Sequence, residues 1–170
     1  MPRRHPLPRL WLMTDERQGD GLWQALERLP RGGGVVFRHY RLARADRRSI
    51  YDDVRRIARA RDLLLIVAGA PLPGADGVHG RPGRGVRTAS AHSLRELRAV
   101  EASGADLVFL SPVYPTRSHP AAAPLGRERF ALIAHQAKVP VVALGGMDAE
   151  KARGLGGAYG WAGIDAWSAA

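Results

Sequence analysis

The chain contains no cysteine. That excludes a disulfide framework, a thiolate nucleophile and any cysteine-based metal site, and it makes a reducing cytoplasm the default compartment. Lysine is nearly absent: of 26 basic residues only Lys138 and Lys151 are lysines, so almost all the positive charge is arginine. Aromatic residues are scarce, at 6%. No apolar run approaches the roughly 18 residues needed to cross a bilayer. The N-terminal "MPRRHPLPRLWLMTDE" carries charge but lacks the sustained apolar stretch of a secretory signal. A membrane protein is therefore not expected. Internal repeats at a solenoid period and low-complexity linkers are also missing.

What is there suits one globular unit. The 170 residues are 45% apolar, enough for a single domain over 1–170 with a real core. The net charge of +10 suggests a polyanionic partner such as RNA. The arginines, however, are spread along the chain, and stacking aromatics are not interleaved with them. A solvated surface is the favoured reading, and a basic RNA-associated domain the least favoured. A small phosphorylated molecule would need only one or two of these arginines.

Apolar strand-like runs alternate with amphipathic segments. Strands are expected at 9–13, 33–40, 63–69, 77–79, 85–90, 106–113, 139–146 and 161–167. Helical spacing of apolar residues marks 21–29, 44–61 and 127–138. Ser93 and Glu96 form a capping-box pattern opening a helix to about Ala102, and Asp148 caps another over 149–155. Eight strands with intervening helices imply an α/β chain folded as a compact (β/α)8 TIM barrel. An open α/β sheet with fewer strands is the alternative. Such barrels usually need about 250 residues, or about 200 at the compact end. This chain fits only if helices 3, 4 and 8 are reduced or missing. Loops or a partner subunit, such as a second copy in a homodimer, would then have to cover the barrel.

In a parallel barrel the chemistry sits at the C-terminal ends of the strands. Thr116, Arg117, Ser118 and His119 follow the sixth strand in "LSPVYPTRSHP". A guanidinium and two hydroxyls there suit an anion. Gly145-Gly146 precedes an Asp-capped helix, where backbone N–H groups can approach a phosphate. Both features also have bland readings, as a proline-braced loop and a tight turn. His79 and His92 are candidate bases or ligands, with His39 and His119 better placed. A Mg2+–diphosphate site wants carboxylates at strand ends, but the third strand ends in Ala68-Gly69-Ala70 and no acid lies between Gly80 and His92. No metal ligand is assigned.

The ordered set "LMTD", "VVFRHY", "GVHG", "SAHS", "ADLVFLSPVYPTRSHP", "VPVVALGGM" and "GIDAWSA" resembles the thiamine phosphate synthase family and its thiazole tautomerase relatives over nearly the whole chain. The resemblance implies a (β/α)8 barrel that joins a pyrimidine methyl diphosphate to a thiazole phosphate, with Mg2+ assisting departure of the diphosphate. It implies a diphosphate contact for Arg38, hydroxyl contacts from Thr116 and Ser118, and a pyrimidine-side serine at Ser90. It also implies a thiazole-phosphate site at Gly146, Trp167 and Ser168. His119 stands where the family has a lysine, and so does Tyr40. The Asn-Asp-Asp-type run after the third strand is replaced by Ala68-Gly69-Ala70, and the second metal-binding aspartate by "GRPGRG". Pro112 stands where the tautomerases have a histidine. Arg38, Arg81, Arg84 or Arg117 are candidates to replace the metal's charge. The expected function is thus thiamine phosphate synthesis with a degenerate Mg2+–diphosphate site. The alternative is a protein that holds a thiazole or thiamine phosphate without turnover.

Overall fold

The structure, a computed structural model, describes residues 6–117 and 120–168. Eight strands close into one parallel barrel in sequence order. They are β1 (Leu10–Met13), β2 (Gly34–Phe37), β3 (Leu64–Ala68), β4 (Gly77–His79), β5 (Val86–Ala91), β6 (Leu107–Leu110), β7 (Val141–Ala143) and β8 (Gly160–Gly163). Among the described residues there are five α-helices: α1 (Gly21–Arg28), α2 (Arg44–Ala60), α3 (Leu94–Ala102), α4 (Gly126–Ala134) and α5 (Ala149–Ala152).

Alternation along the strands splits the core in two. Trp11, Met13, Val36, Ile66, Leu107 and Phe109 point into the barrel, while Leu12, Val35, Phe37, Leu65 and Val108 face the helices. The interior is packed by one large contact, Trp11 edge-on to Phe109 with ring centroids 5.3 Å apart. Gly34 makes room for it: a Cβ there would lie 2.3 Å from the Trp11 ring. A filled barrel of this kind has no through-channel, so a ligand must enter from an end.

No helix follows β3 or β4, and a single 3-10 turn, Asp165–Trp167, follows β8. The chain covers the exposed flank with its own loop, since Leu72 and Ala75 pack against the outer core. Asp76 ties that loop down by accepting from the Leu65 N–H at 2.8 Å. The arginines of α2 are largely engaged locally: Arg48 pairs with Asp52, Arg56 with Asp53, and the adjoining Arg61 with Glu27. Among the described residues no helix is long and apolar enough to cross a membrane.

Candidate active site

A cavity of about 720 Å³ opens at the C-terminal ends of the strands. Arg38, Ser90, Thr116, Arg117, Gly145 and Gly146, all singled out in the sequence, line this one space. Ser118 and His119 lie outside the described residues.

Arg38 is the best-anchored cation at the mouth. Its Nε donates to the Thr14 carbonyl at 2.7 Å, and an Nη reaches Asp15 at 3.4 Å. The Thr14 hydroxyl accepts the Arg38 N–H at 3.0 Å and also hydrogen-bonds His39 Nδ1, 3.0 Å away. His39 is buried and stacks on Phe37 with centroids 4.8 Å apart. It braces the β2 end and is not among the lining residues. Burial, with the charges of Arg38 and Arg47, lowers its basicity despite the nearby Glu16 and Asp15. Burial alone would raise the Asp15 carboxyl, but the bonds and charge of Arg17, with Arg38, hold it below the usual carboxylate range.

The β7 end is shaped by backbone. Gly145 and Gly146 have φ of 97° and 62°, the left-handed region that favours glycine. A Cβ on Gly145 would lie 2.7 Å from Pro112, and one on Gly146 2.7 Å from the Pro115 carbonyl. The β6 loop therefore sits directly on the glycine pair. Asp148 caps α5 by accepting the Lys151 N–H at 2.8 Å, and Lys151 Nζ donates to the Gly146 carbonyl at 3.0 Å. Lys151 lines the cavity, and nothing in its sequence spacing marked it. Across the mouth Arg117 meets Asp165 at 3.3 Å.

Trp167 and Ser168 sit elsewhere. β8 ends at Gly163, and the chain turns into the 3-10 segment instead of continuing as strand to 167. Trp167 is buried in the outer core, stacked on Trp161 at 4.7 Å, and donates its indole N–H to the Trp11 carbonyl. Ser168 lies behind it, near Gly21 at the start of α1. The cavity is lined instead by Gly163, Ile164, Asp165 and Ala166. Arg81 and Arg84 are not among the lining residues either.

Sequence comparison agrees with this geometry. A family model described as thiamine monophosphate synthase matches residues 85–167. The chain is 33% identical to a putative thiamine-phosphate synthase 2 of Aquifex aeolicus, over 93% of this chain and 96% of that one. The chain belongs to the thiamine-phosphate synthase family. It is also 29% identical to the thiamine-phosphate synthase of Pyrococcus furiosus, over 85% of this chain and 78% of that one. The solved thiamine phosphate pyrophosphorylase of Pyrococcus furiosus superposes with a TM-score of 0.78 at 27% identity, covering 94% of this chain and 86% of the other.

The resemblance implies a carboxylate run after β3, and this is the side where the chain lacks one. β3 contributes none of the lining residues. Its end carries no carboxylate, and the carbonyls of Ala68 and Ala70 accept from the buried Arg47 guanidinium at 2.7 and 3.0 Å. A fixed cation beneath the strand end repels a dication. The carboxylates near the mouth are also engaged: Asp15 with Arg17 and Arg38, Asp148 with Lys151, Asp165 with Arg117. Among the described residues no three acidic, histidine or cysteine side chains converge. Mg2+ demands near-ideal octahedral oxygen coordination. These residues do not fit the Mg2+ that the family implies.

Proposed function

We propose that this chain forms thiamine phosphate from a hydroxymethylpyrimidine diphosphate and a thiazole phosphate. The thiazole nitrogen would form a bond to the pyrimidine methylene carbon, and the C–O bond to the diphosphate would break, with diphosphate leaving as an anion. The observation that carries this reading is one cavity holding two distinct anion-directed elements. The glycine pair with Lys151 is suited to the thiazole phosphate. Arg38, four strands round the barrel from the β6 loop, is suited to the leaving diphosphate.

Arg38 would act electrostatically. Its guanidinium is held by Thr14 and Asp15 before any ligand arrives, so little reorganisation is needed as charge develops. Burial lowers its pKa against the raising effect of Asp15, yet a guanidinium stays charged at any ordinary pH. Thr116, Arg117, Ser118 and His119 of the β6 loop would contact the diphosphate from the opposite side of the same cavity, and Ser90 would face the pyrimidine. Positive side chains alone should neutralise the leaving group less well than a metal, whose contribution is several kcal/mol. A slow synthase is therefore expected. A cytoplasmic location belongs to this reading and rests on the lack of cysteine.

Incubating the purified protein with both substrates tests it. Thiamine phosphate should accumulate in proportion to enzyme, and Arg38→Met should abolish the accumulation. No product above a protein-free control would sink the proposal.

A further inference from the structure

The β4–β5 register places His79 beside Thr88, with Ser90 two residues further along the same face. The imidazole uses both nitrogens there. Nδ1 lies 2.9 Å from Thr88 Oγ1, and Nε2 lies 3.2 Å from Ser90 Oγ. His79 and Ser90 line the cavity, whereas Thr88 is buried and does not.

Hydrogen positions follow from which groups can be satisfied. Two neutral arrangements exist. If Nδ1 carried the proton, it would donate to Thr88. The Thr88 O–H would then have no acceptor, because its side chain makes no other hydrogen bond among the described residues. An unpaired hydroxyl hydrogen in a buried position is unfavourable. If Nε2 carries the proton, Thr88 donates to Nδ1 and Nε2–H donates to Ser90 Oγ. Both ring contacts of His79 are then satisfied, and the Ser90 O–H stays available to donate into the open space. A charged imidazole would break this order, and burial with the nearby Arg38 opposes it.

We propose that Thr88 and His79 fix the polarity of Ser90, holding its hydroxyl as a hydrogen-bond donor toward the ligand. His79 is then a positioning residue. The β5 wall accordingly selects a ligand group that offers a lone pair, such as a heteroaromatic ring nitrogen, over one that offers an N–H or C–H. Identifying that group with a pyrimidine nitrogen rests on the function proposed above. The polarity of Ser90 does not.

Long-range proton–nitrogen NMR of the intact, ligand-free protein at neutral pH reads the tautomer directly. The Nε2–H form of His79 is expected. A predominant Nδ1–H form, or an imidazolium, would overturn the proposal. Selectivity gives a second readout, with hydroxymethylpyrimidine and its two pyridine analogues, each having one ring nitrogen replaced by C–H. One analogue should bind about tenfold more weakly than the parent, the size expected for one lost hydrogen bond to a buried partner. Thr88→Val, which keeps the shape and removes the donor to Nδ1, should shrink that ratio to about threefold or less. Equal binding of both analogues to the wild type would count against the donor assignment. If no pyrimidine binds at all, the functional proposal fails, and the tautomer alone decides the relay.

Discussion

The two sides of the cavity differ in kind. On the β6–β8 side the wall rests on backbone conformation, two left-handed glycines, the loop seated on them and a capped helix start, with Thr116, Arg117, Lys151 and Asp165 as its polar side chains. The family match, residues 85–167, also covers this side. On the β2–β4 side the wall is made by side chains, and one of its strands, β3, contributes nothing to the lining. Backbone cradles depend on conformation, so a residue with a Cβ breaks them outright. A charge site depends on which side chains are present, and it can change its ion without changing the fold. This chain has the first kind of wall on one side of its cavity and the second kind on the other.

The glycine side offers the largest effect. Gly145→Val combines a strained φ with a collision against Pro112. It should cost roughly 2–5 kcal/mol of stability and remove inorganic-phosphate binding; thermal unfolding and calorimetry read both. Unchanged phosphate affinity would show that the cradle lies elsewhere.

The β4–β5 wall comes next, through pH. Burial, with the Arg38 charge, pushes His79 from 6.5 down to about 4. Between those values the unfolded chain binds a proton that the folded chain refuses. Stability from His79 is therefore full above about pH 6.5 and falls as pH drops toward 4. The loss is up to about 3 kcal/mol. His79→Gln should flatten this part of the curve in denaturant titrations at pH 7, 5.5 and 4.5. A slope that survives the substitution assigns the effect to other groups.

On the charged side, Arg38→Met should weaken pyrophosphate binding by about 10- to 100-fold, the range for charge-assisted hydrogen bonds. In the wild type, replacing Mg2+ by a chelator should change pyrophosphate affinity by about twofold or less. A tenfold loss on chelation would restore the metal to this wall and erase the contrast. The smallest effect belongs to the β6 loop, in Arg117→Ala. The Arg117–Asp165 pair is exposed, and its loss should shift stability by about 0.5 kcal/mol or less in urea unfolding.

Much of the fold was legible because parallel strands buried on both faces read as short apolar runs. All eight fall where those runs predicted them, and β3, β4 and β8 do lack full helices. The ends were less legible. "GIDAW" reads as strand from its Ile and Trp, yet the chain turns after Gly163 so that Trp167 can stack on Trp161 and bond to the Trp11 carbonyl. That choice is tertiary, between residues some 150 apart in sequence, and removes Trp167 and Ser168 from the cavity lining. The capping box at Ser93 is half formed: Ser93 accepts from Glu96 N–H, but Glu96 spends its carboxylate on His92. Arg47 was invisible as a site-shaping residue because helical spacing shows only which face it occupies. Its partners are carbonyls, which carry no sequence signature.

Arg47 also limits what the β3 end can hold. An aspartate placed at position 69, whose Cβ would lie 3.8 Å from the Arg47 guanidinium, would form an ion pair before it met a metal. Removing Arg47 first would strand the two carbonyls it satisfies. Neither single step is useful alone, so a carboxylate metal site at this strand end would require both changes at once.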